Sequence, residues 1–178
     1  MKETERAPER GVGDGHVLPP AMSYPVAPPL PLRVWVPGRA RTKGSLEVFG
    51  KRANGSAKLR ESVAGSGDWR ATMAEAVLRA CGARFEPGGP VCGWEPLDEP
   101  VRVVLWVKLP RGRTRALAVA PDQLRDGDLD KFQRNAGDAL VDARVLADDS
   151  RIVEWWARKD WAESPETAGV LIEVHRLA

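Results

Sequence analysis

Between Gly127 and Arg134 the chain reads Gly-Asp-Leu-Asp-Lys-Phe-Gln-Arg, and Leu146-Ala-Asp-Asp-Ser150 follows a short distance on. Asp128 and Asp130 flank an apolar Leu129, and Asp148 and Asp149 stand side by side. Taken separately, each pair has a structural explanation. Carboxylates at a helix start cap free N–H groups and suit the helix dipole, and Asp-Asp-Ser is an ordinary turn. Brought together, three or four carboxylates without a matching lysine cluster repel one another unless a cation neutralises them. Such oxygen-only donors suit a hard ion, Mg²⁺ or Mn²⁺. An ion of this kind activates water and stabilises the leaving oxygen in phosphodiester hydrolysis. Spacing alone does not bring the two pairs together.

The charges around these residues are unevenly distributed. From Arg33 to Arg60 eight cations, Arg39, Arg41 and Lys43 among them, stand against Glu47 alone, a local +7 in a chain whose total is +2. From Asp126 to Asp149 seven aspartates face only Lys131, Arg134 and Arg144, a local −4. A basic arm that neutralises phosphates beside an acidic centre that binds a cation is the division of labour a nuclease needs. Arg111, Arg113 and Arg115 form a second basic patch just before the acidic segment. Solvated loops carry similar charges, so no single one of these cations is diagnostic. The seven tryptophans can stack on bases, but core packing is the expectation for most of them.

The elements that must position these residues follow from periodicity. Leu32–Pro37 alternates as a strand, and Val101–Leu109 is apolar enough for a central one. Ile152–Arg158 and Gly169–Arg176 read as two more. Trp69, Met73, Ala76, Val77 and Ala80 share one helical face, with Ser66 or Asp68 as its cap. Leu129, Phe132, Ala136, Ala139, Leu140 and Ala143 mark a second helix over Asp128–Arg144. Gly38–Arg60 reads as a long loop or loose hairpin, Gly82–Pro100 as a loop, and Arg111–Arg125 as a basic turn-rich loop. Residues 1–30, rich in charge, Gly and Pro, read as a disordered tail ahead of a domain over 31–178. The expected fold is α+β: a small mixed β-sheet packed against two main helices.

Other functions are disfavoured by composition. The chain has 178 residues, 29% of them charged, with a pI near 8.7. That is neither an acidic solvating protein nor a histone-like basic one. No apolar run reaches the roughly 18 residues of a membrane span. Cys81 and Cys92 are not in a C-x-x-C pair and have only His16 and His175 for company, which argues against a disulfide framework or structural zinc. The N-terminal stretch lacks the apolar core of a signal peptide, so a reducing, cytoplasmic location is expected. Gly11-Val-Gly-Asp-Gly15 has no strand before it, and in Gly38–Ser45 Lys43 precedes Gly44. Neither is a nucleotide cradle, so no organic cofactor is expected.

The combined pattern is similar to the RusA family of Holliday junction resolvases, Mg²⁺-dependent endodeoxyribonucleases. The resemblance is carried by Asp128-Leu129-Asp130, Arg134, Gly137-Asp138-Ala139-Leu140 and Asp148-Asp149-Ser150-Arg151-Ile152-Val153. Val36-Pro37-Gly38 with Lys43-Gly44-Ser45 resembles the first strand and loop of phage and prophage members. It spans roughly Leu32 to Arg176 and is sharp from Asp126 to Arg158. It implies a RusA-like fold, with Asp128, Asp130 and Asp149 as catalytic and metal-binding residues and Asp148 as an adjacent candidate. It implies a homodimer resolving four-way junctions and other branched DNA in recombination and repair, by paired cuts that leave 5′-phosphate and 3′-hydroxyl ends. Lys43, Arg41, Arg39, Lys131 and Arg113 are the candidate DNA contacts. Two positions depart from the family pattern. Its usual lysine one turn beyond the second aspartate is Arg134, which cannot exchange a proton at neutral pH but can hold a phosphate. Its frequent asparagine after that aspartate is Lys131. A Mg²⁺-dependent nuclease for flaps or single strands, and a non-catalytic DNA-binding protein on the same fold, are the alternatives.

Overall fold

A computed structural model describes residues 27–44, 46–61, 63–112, 116 and 119–177. Strand β1 (Leu32–Pro37) is followed by a hairpin of β2 (Leu46–Lys51) and β3 (Ala57–Glu61), then helix α1 (Ser66–Ala80). A small hairpin, β4 (Arg84–Glu86) and β5 (Gly89–Val91), leads into β6 (Val101–Leu109), helix α2 (Leu129–Asp142), β7 (Ile152–Trp161) and β8 (Gly169–Arg176). The main sheet runs β1-β8-β6-β7. Strands β6 and β7 are parallel, joined through α2, and the other pairings are antiparallel. The fold is therefore α+β with a mixed four-stranded sheet and two main helices, as expected.

Strict alternation builds the core. Val101, Val103, Leu105, Val107 and Leu109 of β6 are buried, as are Leu32, Val34 and Val36 of β1 and Val170, Ile172 and Val174 of β8. Trp69, Met73 and Val77 from α1 join them, with Phe132, Ala136, Ala139 and Leu140 from α2. Both helices lie on this one face of the sheet, α1 on β1 and α2 on β6 and β7, and they pack on each other. The small side chains of α2, Ala136, Gly137 and Ala139, allow that close approach.

Several details differ from the sequence expectations. The residue ahead of α1 is Gly65 at φ 76°, and no side chain caps it. The glycine tolerates the left-handed backbone there, and neither Ser66 nor Asp68 acts as the cap. Strand β7 runs on to Trp161, because Lys159 and Asp160 keep the ladder with Val107 and Lys108. Residues 38–60 take the hairpin alternative, as β2 and β3, whereas the 82–100 loop contains the β4–β5 hairpin. Packing begins before residue 31: Pro28 is buried, and Ala27 and Leu30 rest on the core. The rest of the expected tail, residues 1–26, lies outside the described residues. Among the described residues no helix is long and apolar enough to cross a membrane.

Candidate functional site

Asp128 immediately precedes α2 in extended conformation, φ −80° and ψ 136°, where a capping side chain would sit. Its carboxylate makes no cap hydrogen bond; it meets Lys131 Nζ at 2.8 Å instead. Capping therefore does not account for this aspartate. Gly127 positions it. The glycine has φ 78°, and a Cβ there would come within 2.6 Å of Thr42 Cγ2 and 3.1 Å of Phe132 Cε2. Only glycine lets the chain pass this close while turning left-handed. Lys159 of β7 donates to the Gly127 carbonyl at 2.5 Å and holds the turn onto the sheet.

Asp130, in the first turn, accepts a hydrogen bond from Arg134 one turn later. That guanidinium holds the Asp130 carboxyl below the usual carboxylate range. Both the Asp128–Lys131 and Asp130–Arg134 pairs are exposed, and such pairs are typically worth about 0–1 kcal/mol. A divalent cation or a phosphate can therefore displace either partner at little cost.

Asp148 and Asp149 behave differently from one another. Asp148 accepts a hydrogen bond from the Ser150 backbone N–H at 2.9 Å, which starts the single helical turn Asp149–Arg151; the Ser150 side chain first, and this N–H second, hold its carboxyl below the usual range. It serves the turn. The Asp149 carbonyl accepts from the Ile152 N–H, but its carboxylate has no hydrogen-bond or ion-pair partner among the described residues. Its Cβ lies against α2, 3.6 Å from where a Cβ on Gly137 would sit, with Ile152 Cδ1 at 3.5 Å from the same point. The missing side chain at Gly137 lets the Asp149 turn rest on the helix that carries Asp128 and Asp130.

The structure thus puts Asp128, Asp130 and Arg134 at the start of α2 and Asp149 two turns along it. Among the described residues no three His, Cys, Asp or Glu side chains converge tightly enough to hold an ion. The donor chemistry fits Mg²⁺, all oxygen and all exposed, but the arrangement offers a pair and a separate third carboxylate rather than a closed cage. Asp149 and Asp148 open instead onto a depression of about 370 Å³ shared with Asp138, Asp142, Lys43 and Arg70.

The basic arm is fastened beside this site. Lys43 N–H donates to the Lys131 carbonyl at 3.1 Å, and Asn135 Nδ2 donates to the Arg41 carbonyl at 3.0 Å. Asn135 is 1% exposed, a polar side chain within the apolar face of α2. The sequence reading passed over it, although a polar residue between Phe132 and Ala136 on a buried face is itself a signal. The Lys43 side chain is committed to Asp138, at 2.5 Å, and Arg70 reaches Asp138 at 3.5 Å and Asp142 at 2.9 Å. Lys43 therefore neutralises a carboxylate of α2 instead of standing open for a phosphate.

The open cations are elsewhere. A cleft of about 310 Å³ beside Gly127 and Phe132 is lined by Arg39, Arg41 and Arg125. None of the three has an ion-pair partner among the described residues. Arg125 was not singled out by the sequence, because its loop gave no periodicity to place it. Arg113 lies outside the described residues. No known family model matches this chain, and no curated protein matches it.

Proposed function

We propose that the chain is a Mg²⁺-dependent, structure-selective endodeoxyribonuclease of RusA type that acts as a homodimer on four-way junctions and other branched DNA. The observation that carries this reading is the start of α2. Two carboxylates free of capping duty stand there beside a cleft whose three arginines have no ion-pair partner among the described residues, and Asp149, whose carboxylate has none there either, rests against the same helix. Carboxylates so close to a phosphate-binding surface only weaken binding unless a cation joins them to the substrate.

In this reading Asp128, Asp130 and Asp149 hold the ion, which when bound supplies the charge that activates water and stabilises the leaving oxygen. Arg39, Arg41 and Arg125 hold the backbone of one DNA arm. Arg134, one turn beyond Asp130 and exposed, would be placed to hold the phosphate being cut if Asp130 served the ion instead. Asp148 keeps the turn that presents Asp149. Lys131, paired with Asp128, is placed to follow the same exchange.

A DNA-binding protein without cleavage is the second reading, favoured by the pairing of Asp128 and Asp130 with Lys131 and Arg134. Labelled four-way junction, flap and linear duplex DNA, each incubated with Mg²⁺ and with EDTA, separate the readings. The proposal expects symmetric nicks in the junction with Mg²⁺ alone. Cutting confined to the flap would make this a nuclease of other specificity. Binding of the junction without cutting in either buffer would favour the second reading.

A further inference from the structure

Strands β2 and β3 pair with each other and, among the described residues, with no other strand. Neither packs extensively on a helix or on the main sheet. The two-stranded ribbon leaves and rejoins the domain at the arginine cleft: Arg39, Arg41 and Thr42 line that cleft on the way in, and Val63 lines it on the way out. The entry is fastened to α2 through Asn135 and the Lys131 carbonyl, so the ribbon has a fixed root beside Asp128 and Asp130. Six residues of β2 at about 3.3 Å each carry it roughly 20 Å from that root.

Charge is ordered along the ribbon. Its cross-strand pairs run Leu46–Glu61, Glu47–Arg60 and Val48–Leu59, then, past an irregularity between Val48 and Gly50, Gly50–Lys58 and Lys51–Ala57. Both acids therefore stand in the two pairs at the root. From Val48 to Leu59 the ribbon carries Lys51, Arg52 and Lys58 and no acid, a local +3 in a chain whose total is +2. Lys58 is paired in register with Gly50 and Lys51 with Ala57, so no carboxylate stands opposite either one to neutralise it. The tip is a closed turn. Arg52 N–H donates to the Ser56 carbonyl at 2.7 Å, and Gly55 N–H donates to the Arg52 carbonyl at 2.9 Å. Asn54 Oδ1 accepts from the Ser56 N–H at 3.1 Å and from its Oγ at 2.7 Å. Asn54 and Ser56 thus serve the turn, whereas the exposed Arg52 guanidinium has no hydrogen-bond or ion-pair partner among the described residues. Its neighbours Ala53, Gly55, Ser56 and Ala57 are small and let the tip approach a partner closely.

We infer that the β2–β3 ribbon enters the major groove of a duplex DNA arm, with Lys51 and Lys58 supplying phosphate contacts and Arg52 a contact to a base edge. Size selects the groove: two strands about 5 Å apart, with their side chains, fit a groove about 12 Å wide and not one of about 6 Å. The deep, narrow major groove of duplex RNA excludes a ribbon. The cleft and the ribbon then hold one DNA arm at two places about 20 Å apart. Two such contacts fix the arm's rotation about its axis, and with it which phosphate meets the carboxylates at the start of α2. The inference rests on the DNA-binding part of the proposed function and not on cleavage.

The test uses the full chain on a labelled four-way junction in Ca²⁺, probed with dimethyl sulfate, which methylates guanine N7 in the major groove and adenine N3 in the minor groove. Expected is protection of guanine N7 over a few base pairs of an arm. Lys51→Ala/Arg52→Ala/Lys58→Ala should lose that protection, bind at least about tenfold more weakly at about 150 mM salt, and lower the salt slope by about two. Arg52→Ala alone should lose the protection and nearly keep the slope, and it carries the test if the triple variant does not fold. Protection of adenine N3 in place of guanine N7, tighter binding of duplex RNA than of the junction, or a triple variant that binds and protects as wild type does, overturns the inference and leaves the proposed function in place. Binding with guanine N7 protection but no cleavage in Mg²⁺ would end the nuclease reading and support the ribbon. No DNA binding by the folded wild-type chain would overturn both.

Discussion

Arg125 is the residue whose role changes most once the structure is in view. In sequence it is one more cation in a turn-rich loop; in space it closes a cleft with Arg39 and Arg41. Arg125→Ala should lower the steepness of the salt dependence of DNA binding by about one phosphate contact. Lys43→Ala should leave that slope nearly unchanged, because Lys43 faces Asp138. Fluorescence anisotropy over a salt series reads both, and equal slopes for Arg125→Ala and wild type would take Arg125 out of the interface. The aspartates were legible because their types and spacing are unusual; which of them are committed to backbone was not, since that depends on a 2.9 Å contact at Ser150. Cys81 offers a pH test. Burial, with Cys92 nearby, raises its thiol from 9.0 to about 11. At pH 8 its thiolate should be about a hundredfold scarcer than that of an ordinary cysteine, and alkylation correspondingly slower. In a Cys92→Ser background, mass spectrometry of iodoacetamide uptake should show this. The sign follows from linkage: the group's contribution is present below about pH 9 and is lost as pH rises toward 11. Rapid alkylation at pH 8 would show the thiol to be accessible and unshifted.

At the scale of elements, the site depends on how the basic arm is tied to α2. Asn135 is the tie, a buried amide donating to the Arg41 carbonyl. Asn135→Ala should cost about 1–3 kcal/mol, since it leaves that carbonyl without its donor. It should also weaken DNA binding severalfold, because Arg39 and Arg41 lose their placement. Thermal unfolding and anisotropy check the two effects, and a loss of stability with wild-type affinity would show that the arm needs no tie. The main strands and helices were legible because alternation and the helical period are strong over Val101–Leu109 and Leu129–Ala143. The β2–β3 hairpin was legible only as one of two readings of residues 38–60, and the β4–β5 hairpin was not. Their glycines and charges look like loop, and backbone pairing leaves little trace in short, mostly polar strands. The start of α1 differs from the expectation for a related reason: Ser66 has the side chain of a cap, but its hydroxyl is buried with no partner among the described residues, while Gly65 supplies the backbone turn.

For the whole molecule, the sheet separates two kinds of surface. On the helix side lie arginines without an ion-pair partner among the described residues and carboxylates that cap no helix; on the other lies an aromatic face that carries charges of both signs. Trp155 and Trp156, neighbours on β7, face opposite sides of the sheet, and Trp156 is the exposed one. That Trp35, Trp106 and Trp156 share a face was not legible in the sequence, because strand order across β1-β8-β6-β7 is set by tertiary packing. The central claim, that carboxylates on α2 and its following turn hold an ion that cuts DNA, is tested by replacing charge and keeping shape. Asp128→Asn, Asp130→Asn and Asp149→Asn should each slow single-turnover cleavage of a four-way junction in saturating Mg²⁺ by at least about a hundredfold. Gel-shifts in Ca²⁺ should show binding held or tightened, because repulsion toward phosphates falls. Loss of cleavage with binding intact in all three is the result the account predicts. Near wild-type cleavage by all three would contradict it, and by any one would remove that aspartate from the site.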